Sequence, residues 1–225
     1  MLFAVLLFVF TRIFRIGSEV EYYPVLLLFN IVMISFIQES TLASVPAVVN
    51  QEGVVRKTHF PRLVIPLAVV LTSLFNFGTN MIAVVVFMIA YGVPVTWTWL
   101  LFPVIVLLLF VFSMAVSMLL SALYPRFRDV GIIWSVLVTA LFYATPVLYP
   151  LEIVPSQYID WLLLNPLTPI FEQARHWIID TDAPGAISAA GGIAGLIPAA
   201  LIYLAVCVLA VVVFRREAPR IAEEL

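Results

Sequence analysis

The chain has 225 residues, of which 64% are hydrophobic and only 11% are charged, and its formal net charge is −2. Soluble domains average roughly 45–50% apolar and about 25% charged residues, so this composition excludes an ordinary soluble fold. The small net charge and the lack of a Lys/Arg run exclude a nucleic-acid-binding surface, and the single cysteine, Cys207, excludes an intrachain disulfide.

Six apolar runs are candidates for membrane spans, because a hydrocarbon core of about 30 Å needs about 20 apolar residues to cross it. The runs are continuous, whereas the strands of a β-barrel would alternate. The sequence therefore predicts an all-α, six-transmembrane bundle in one domain, residues 1–225. The spans are Met1–Thr11, Tyr22–Val45, Leu63–Met88, Leu100–Leu123, Gly131–Leu148 and Gly192–Phe214.

The first run is too short to cross a membrane by itself. No basic segment precedes it and no small-residue cleavage site follows it, so a secreted leader is disfavoured. We expect a truncated first span, produced either by a late assigned start or by loss of an N-terminal segment.

Glu39 is the one acidic residue inside a predicted span. Carboxylates are costly in lipid and are functional candidates by default, so Glu39 is a candidate for a transport pathway or gate, although its polar neighbours could also simply satisfy it. Asn30, Asn76 and Asn80 are more typical of hydrogen bonding between helices.

Basic residues predict the orientation of the spans. Residues 50–62, residues 124–129 and the tail 215–225 form one side, which we expect to be cytoplasmic together with both termini. The other side has only Arg12, Arg15 and Arg175. The side expected to be cytoplasmic has eight Lys or Arg residues: Arg56, Lys57, Arg62, Arg126, Arg128, Arg215, Arg216 and Arg220.

An irregular stretch, residues 149–182, joins the fifth and sixth spans and is called the outer segment below. Prolines at 146, 150, 155, 166 and 169 interrupt any continuous helix. Trp161 and Trp177 favour the membrane interface, so we expect re-entrant or interfacial short helices; an ordinary interfacial loop is the alternative.

The sequence contains no enzyme constellation. His59 and His176 fall on opposite sides of the predicted membrane, and no Gly-rich loop ends in Lys-Ser or Lys-Thr to hold a nucleotide phosphate. Active transport would therefore draw its energy from a partner or an ion gradient. We find no internal repeat of the kind typical of ion-coupled transporters.

Four stretches give the chain a resemblance to a known family. They are Asn50–Leu67, Tyr124–Val130 (Tyr-Pro-Arg-Phe-Arg-Asp-Val), Thr145–Tyr149 (Thr-Pro-Val-Leu-Tyr) and Asn165–Pro169 (Asn-Pro-Leu-Thr-Pro) with Arg175 downstream. In this order among six spans, the chain resembles the membrane subunits of type 2 ABC exporters that move polysaccharides, as in O-antigen and teichoic acid export. It departs from the family at its start, where a longer N-terminus with an amphipathic helix is usual.

The resemblance implies a permease subunit that forms a homodimer in the plasma (inner) membrane and binds two copies of a separate ABC ATPase. This chain would then carry no cofactor, with ATP and Mg on the partner. Contact with the ATPase would involve the first cytoplasmic loop and the second, at Gln51, Glu52, Gly53, Arg56, Lys57, His59, Phe60, Pro61, Arg126, Arg128 and Asp129.

The resemblance also implies a channel for a lipid-linked glycan, closed on the outside by the outer segment. The channel candidates are Glu39 and five aromatic residues whose rings could stack on the apolar faces of sugars: Phe36, Phe75, Phe77, Phe142 and Tyr143. The gate candidates are Pro146, Tyr149, Trp161, Asn165, Pro166, Pro169 and Arg175. Two alternatives remain open: a permease for drug or lipid efflux, and a membrane enzyme acting on lipid-linked sugars.

Overall fold

A computed structural model describes residues 2–9, 20, 22–53 and 61–217, without the side chains of residues 2–4. The sequence-predicted residues Arg12, Arg15, Arg56, Lys57, His59, Phe60 and Arg220 lie outside the described residues. The described part is built from α-helices and short 3-10 helices and contains no β-strand. The all-α prediction is confirmed.

Helices occur at all six predicted runs. They are α1 (Leu2–Phe8), α2 (Tyr23–Ser44), α4 (Val64–Ala90), α5 (Phe102–Leu123), α6 (Val130–Ala144) and α10 (Ile193–Glu217), with a short α3 (Ala47–Asn50) after α2. Four of these helices, α2, α4, α5 with the 3-10 turn that precedes it (Trp97–Leu101), and α10, are long and apolar enough to span a membrane. The first and fifth helices are shorter, at 7 and 15 residues.

The fifth helix ends earlier than the predicted Leu148. Pro146 disfavours helical backbone at the residue before it, and Thr145 is extended, with φ −99° and ψ 144°. The chain then continues without helix to a 3-10 turn at Leu151–Ile153, and after it come α7 (Ser156–Leu163), α8 (Thr168–Ile178) and α9 (Ala186–Ala189). The predicted series of short helices between the fifth and sixth spans is confirmed.

Helix α2 lies at the centre of the bundle and packs against α4, α5 and α6, whereas α10 packs mainly along α5. Small residues form part of the contact between α2 and α5. Ser40, Ser113 and Ser117 have no exposed surface, and the Ser117 hydroxyl donates to the Ser40 carbonyl at 3.3 Å. Small side chains let two helices approach closely where lipid provides no hydrophobic drive for association.

Candidate transport path and outer segment

Glu39 lies on the exposed side of α2, next to α4. Asn76 of α4 donates from its Nδ2 to the Glu39 Oε1 at 2.5 Å, so the two helices are joined by a polar contact inside their spans. Glu39 is exposed, and one hydrogen bond uses only part of the acceptor capacity of a carboxylate.

Asn76 belongs to a polar row on α4 together with Thr72, Thr79 and Asn80, all of them exposed. Their spacing places them on one face of the helix. The two threonine hydroxyls donate to carbonyls of the preceding turn, Thr72 to Ala68 and Thr79 to Phe75, at 2.9 and 3.1 Å. The asparagine amides have more hydrogen-bonding capacity than α4 itself satisfies.

Helix α6 lies on another side of α2 and is attached there by Trp134, whose Nε1 donates to the Thr41 hydroxyl at 3.0 Å. It carries its own exposed polar pair, Ser135 and Thr139, one helical turn apart. Three neighbouring helices, α4, α2 and α6, therefore all present polar groups on the outside of the bundle. We call these groups, Thr72, Asn76, Thr79, Asn80, Glu39, Ser135 and Thr139, the polar face.

The structure separates the five aromatic channel candidates by their burial. Phe36 and Phe77 are only 2% and 4% exposed, with ring centroids 5.5 Å apart between α2 and α4. They form part of the core of one copy. Phe75 is 76% exposed and Tyr143 is also exposed. Phe142 is partly buried and meets the Tyr143 ring edge-on at 5.1 Å.

The segments predicted to be cytoplasmic meet at one end of the bundle. A Cβ on Gly131 of α6 would approach both Tyr124 after α5 and Val45 after α2, at 3.2 and 3.3 Å. Arg126 lies 3.8 Å from Glu217 at the end of α10. The loop after α5, the end of α2 and the end of α10 are therefore neighbours.

The ATPase-contact candidates that the structure describes lie at this same end. Arg126, Arg128 and Asp129 are exposed, and Arg128 covers the Tyr124 ring at 5.1 Å. Gln51 and Gly53 are exposed and Glu52 is half-buried. Pro61, which follows residues 54–60 in the chain, is also exposed. Charged surface side chains are thus grouped at this end of the bundle.

At the other end, the chain that follows α6 is bonded to α2. The Asn30 Nδ2 donates to the carbonyls of Pro146 and Val147 at 3.1 and 3.3 Å, and the Tyr23 hydroxyl donates to the Leu148 carbonyl at 2.8 Å. Asn30 lies about 10 Å along α2 from Tyr23 at 1.5 Å per residue. Residues 146–148 therefore run alongside α2 with their backbone carbonyls satisfied by α2 side chains.

Asn165 joins the outer segment to the end of α6. Its Nδ2 donates to the Thr145 hydroxyl at 2.8 Å and to the Ala144 carbonyl at 3.2 Å, while its Oδ1 accepts from the Leu167 N–H at 3.0 Å. Pro166 then leads into α8, in which Pro169 occupies the first turn, where the missing N–H is not needed. The Asn-Pro-Leu-Thr-Pro motif thus contains an Asx turn, closed by the Asn165 side chain, and the first residues of α8.

Helix α8 packs against α5 and the 3-10 turn Trp97–Leu101. Arg175, on α8, is only 4% exposed and has three carboxylates around it: Glu152 at 3.2 Å, Glu172 at 3.8 Å and Asp180 at 3.9 Å. Burial raises the pKa of Glu172 from its ordinary 4.5 to about 7, against the opposing effects of Arg175 and of the Leu151 N–H. Sequence reasoning singled out Arg175 but neither its partners nor its burial.

Two open cavities border the outer segment. One, of about 730 Å³, lies between α8 and α9 and is lined by polar groups that include Gln173, His176 and Asp182. The other, of about 520 Å³, is lined by Tyr149, Tyr158 and Trp161. Within the described part of the chain, no group of three or more His, Cys, Asp or Glu residues could hold a metal ion.

Comparisons with known proteins agree with this architecture. An O-antigen export system permease protein RfbA of Myxococcus xanthus is 35% identical over 142 residues, 62% of this chain and 55% of the relative. Two proteins of the same name from Klebsiella pneumoniae are 29% identical over 163 residues (71% and 61% of the two chains) and 26% identical over 171 residues (75% and 65%). The chain thus spans between 55% and 65% of the length of these three relatives.

The family described as ABC-2 type transporter matches residues 1–179, most of the chain. The helices that form the polar face and most of the outer segment fall within this match. The protein is a multi-pass membrane protein and belongs to the ABC-2 type transporter family of membrane subunits.

Proposed function

We propose that the chain is the permease subunit of an ATP-driven ABC transporter that exports a lipid-linked polysaccharide, an O-antigen or teichoic-acid-like glycan, across the plasma membrane. The three relatives described above are named as O-antigen export permeases. The single observation that carries the proposal is the polar face of α4, α2 and α6, which lies on the outside of one copy and inside its spans.

A polar face at this position is incompatible with lipid contact. Hydrocarbon cannot satisfy the amides of Asn76 and Asn80 or the carboxylate of Glu39, so these groups turn toward protein or a water-filled cavity. The hydroxyls of the polar face are already bonded to carbonyls of their own helices. A second copy of the chain facing this surface would enclose a wet passage between two polar faces. The exposed rings of Phe75 and Tyr143 beside the passage offer flat apolar surfaces of the kind that sugar rings stack on.

The energy for transport would come from a separate chain. We propose two copies of an ABC ATPase, holding ATP and Mg, that dock on residues 50–62 and 124–129 at the end of the bundle where the tail also lies. This end would be cytoplasmic, as its excess of Arg and Lys predicts. The outer segment would then close the opposite end of the passage.

The function is tested by depleting the protein in its native cell and quantifying both the lipid-linked glycan inside and the matching polymer at the surface. We expect glycan to accumulate inside while surface polymer is lost. Unchanged polymer on both sides would contradict glycan export and favour a drug or lipid cargo. Loss of the lipid-linked precursor itself would favour an enzyme.

The passage is tested separately by thiol labelling in a Cys207→Ser background. Thr79→Cys and Thr139→Cys place thiols on the polar face, and Val208→Cys places one on the outward side of α10, where it is 62% exposed in one copy. A charged, water-soluble thiol reagent should modify the first two and not the third, because only the passage holds water. Equal labelling at all three positions, or labelling at Val208→Cys alone, would refute the assignment.

A further inference from the structure

The outer segment is held together by one buried cation. Arg175 connects three parts of it through its side chain: the 3-10 turn Leu151–Ile153 through Glu152, α8 itself through Glu172, and the turn after α8 through Asp180. These carboxylates are 23 residues before, 3 before and 5 after Arg175 in the chain. A guanidinium group has five donors in a fixed plane and can serve several acceptors at once.

The three contacts are unequal. Glu152 accepts a hydrogen bond from the Arg175 Nη2 at 3.2 Å, whereas Glu172 and Asp180 lie at ion-pair distances of 3.8 and 3.9 Å. The Arg175 Nη1 and the Glu172 Oε2 that face each other are both buried, and neither has a hydrogen-bond partner among the described residues. One cation faces three carboxylates, so the cluster has an excess of negative charge, and this excess falls when one of the carboxylates is neutral.

Glu172 is the carboxylate that gains or loses this proton. Its side chain is 3% exposed, and its Oε1 accepts the Leu151 N–H at 3.3 Å, which ties α8 to the 3-10 turn. The charge of Arg175 is shared with Glu152 and Asp180, so its attraction does not offset the desolvation of an ionised Glu172. The raised pKa of about 7 follows from that balance.

Among the described residues of the elements that pack on α8, no other ionisable side chain competes for this role. Helix α5, the 3-10 turn Trp97–Leu101 and α9, which pack on α8, contain no Asp, Glu, Lys, Arg or His, and α7 contributes only the exposed Asp160. His176 lies on α8, but its Nδ1 meets the Ala183 carbonyl at 2.7 Å, away from the cluster.

We propose that Arg175 is the positioning residue of a latch that keeps the outer segment closed, and that loss of a proton from Glu172 weakens this latch. Closed means that the 3-10 turn stays seated on α8, and open means that it leaves. Since Glu172 holds its proton more tightly when closed, closure is favoured at low pH and is progressively lost as the pH rises through the window from 4.5 to about 7.

The latch is tested by thiol labelling in membranes permeable on both sides, in a Cys207→Ser background. Leu151→Cys puts the thiol at the buried contact with α8, and Gln157→Cys on the exposed start of α7 serves as the reference. The ratio of the two labelling rates removes the pH dependence of thiolate chemistry itself. We expect the ratio to rise about tenfold or more between about pH 5 and about pH 8, because one proton gives up to tenfold per pH unit within the window.

Three further substitutions sharpen the test. Glu172→Gln keeps the shape and the acceptor for the Leu151 N–H but cannot ionise, so its ratio should stay at the low-pH level throughout. Arg175→Gln should raise the ratio at every pH, and Arg175→Lys should restore part of the closure. His176→Gln and Asp160→Asn, titratable groups outside the latch, should leave the pH response unchanged.

A ratio that does not change with pH in the parent, or a pH response that persists in Glu172→Gln, would overturn the proposal. If the Leu151→Cys variant does not fold, exchange of the Leu151 backbone amide, measured by mass spectrometry in the parent and in Glu172→Gln, provides the same comparison. The inference rests on the proposed function only in treating the segment as a gate. Labelling requires no cargo, so an intact pH response without glycan export would refute the proposed function alone.

Discussion

Asn30 provides the most direct test of how the outer end of the bundle is built. Its Nδ2 serves the buried carbonyls of Pro146 and Val147, just after the break that ends α6. Asn30→Ala removes the donor for both. A hydrogen bond between membrane helices contributes about 0.6 kcal/mol and up to about 1.7, and a buried carbonyl left unpaired costs about 1–3 kcal/mol. We therefore expect a loss of about 1–3 kcal/mol in the free energy of unfolding.

The assay is equilibrium unfolding in mixed detergent and SDS micelles, followed by circular dichroism. Asn80→Ala is the matched control, because this asparagine lies exposed on α4 and should change stability by no more than about 0.5 kcal/mol. Tyr23→Phe removes the neighbouring bond to Leu148, so its effect should not add fully to that of Asn30→Ala. If Asn30→Ala is no more destabilised than Asn80→Ala, the proposed anchoring of residues 146–148 is wrong.

Two further predictions use the same assay. Trp134→Phe removes the bond to the Thr41 hydroxyl that attaches α6 to α2 and should cost about 1 kcal/mol, and adding Thr41→Val should cost little more; full additivity would show that the bond contributes nothing. Gly195→Ala should destabilise, because its Cβ would collide with the Ala190 carbonyl oxygen, whereas Gly78→Ala, with open space around it in α4, should stabilise by about 0.5–1 kcal/mol through helix propensity. Equal effects at the two glycines would contradict this packing at the start of α10.

The spans and the break after α6 were predictable because both depend on local chemistry. A continuous apolar run has one stable form in lipid, the helix, since its backbone must bond to itself. Pro146 likewise acts on its own neighbours, although the sequence did not reveal that α6 would stop at Ala144 rather than Leu148. The separation of Phe36 in the core from Phe75 on the surface was not predictable. Both are apolar residues in apolar spans, and hydrophobicity alone does not assign a face when the whole helix is hydrophobic.

The asparagines show the same limit for polar groups. Asn30 and Asn76 occupy similar surroundings in the sequence, and both were expected to bond between helices. Asn30 is buried on backbone carbonyls, whereas Asn76 is exposed and binds a carboxylate that faces outward. Which of the two is exposed depends on how α2 is rotated between α4 and α6, a property of the packed bundle.

Composition and pattern by themselves determined that the chain is a membrane helix bundle, where its long helices lie and where proline interrupts them, because solvent and backbone geometry act on each segment separately. Only the tertiary structure decided that Arg175 gathers carboxylates from three separate parts of the outer segment, and that polar residues of α4, α2 and α6 are exposed on the outside of the bundle. Burial and pairing depend on which distant residues share a space, and these partners are brought together only when the helices pack.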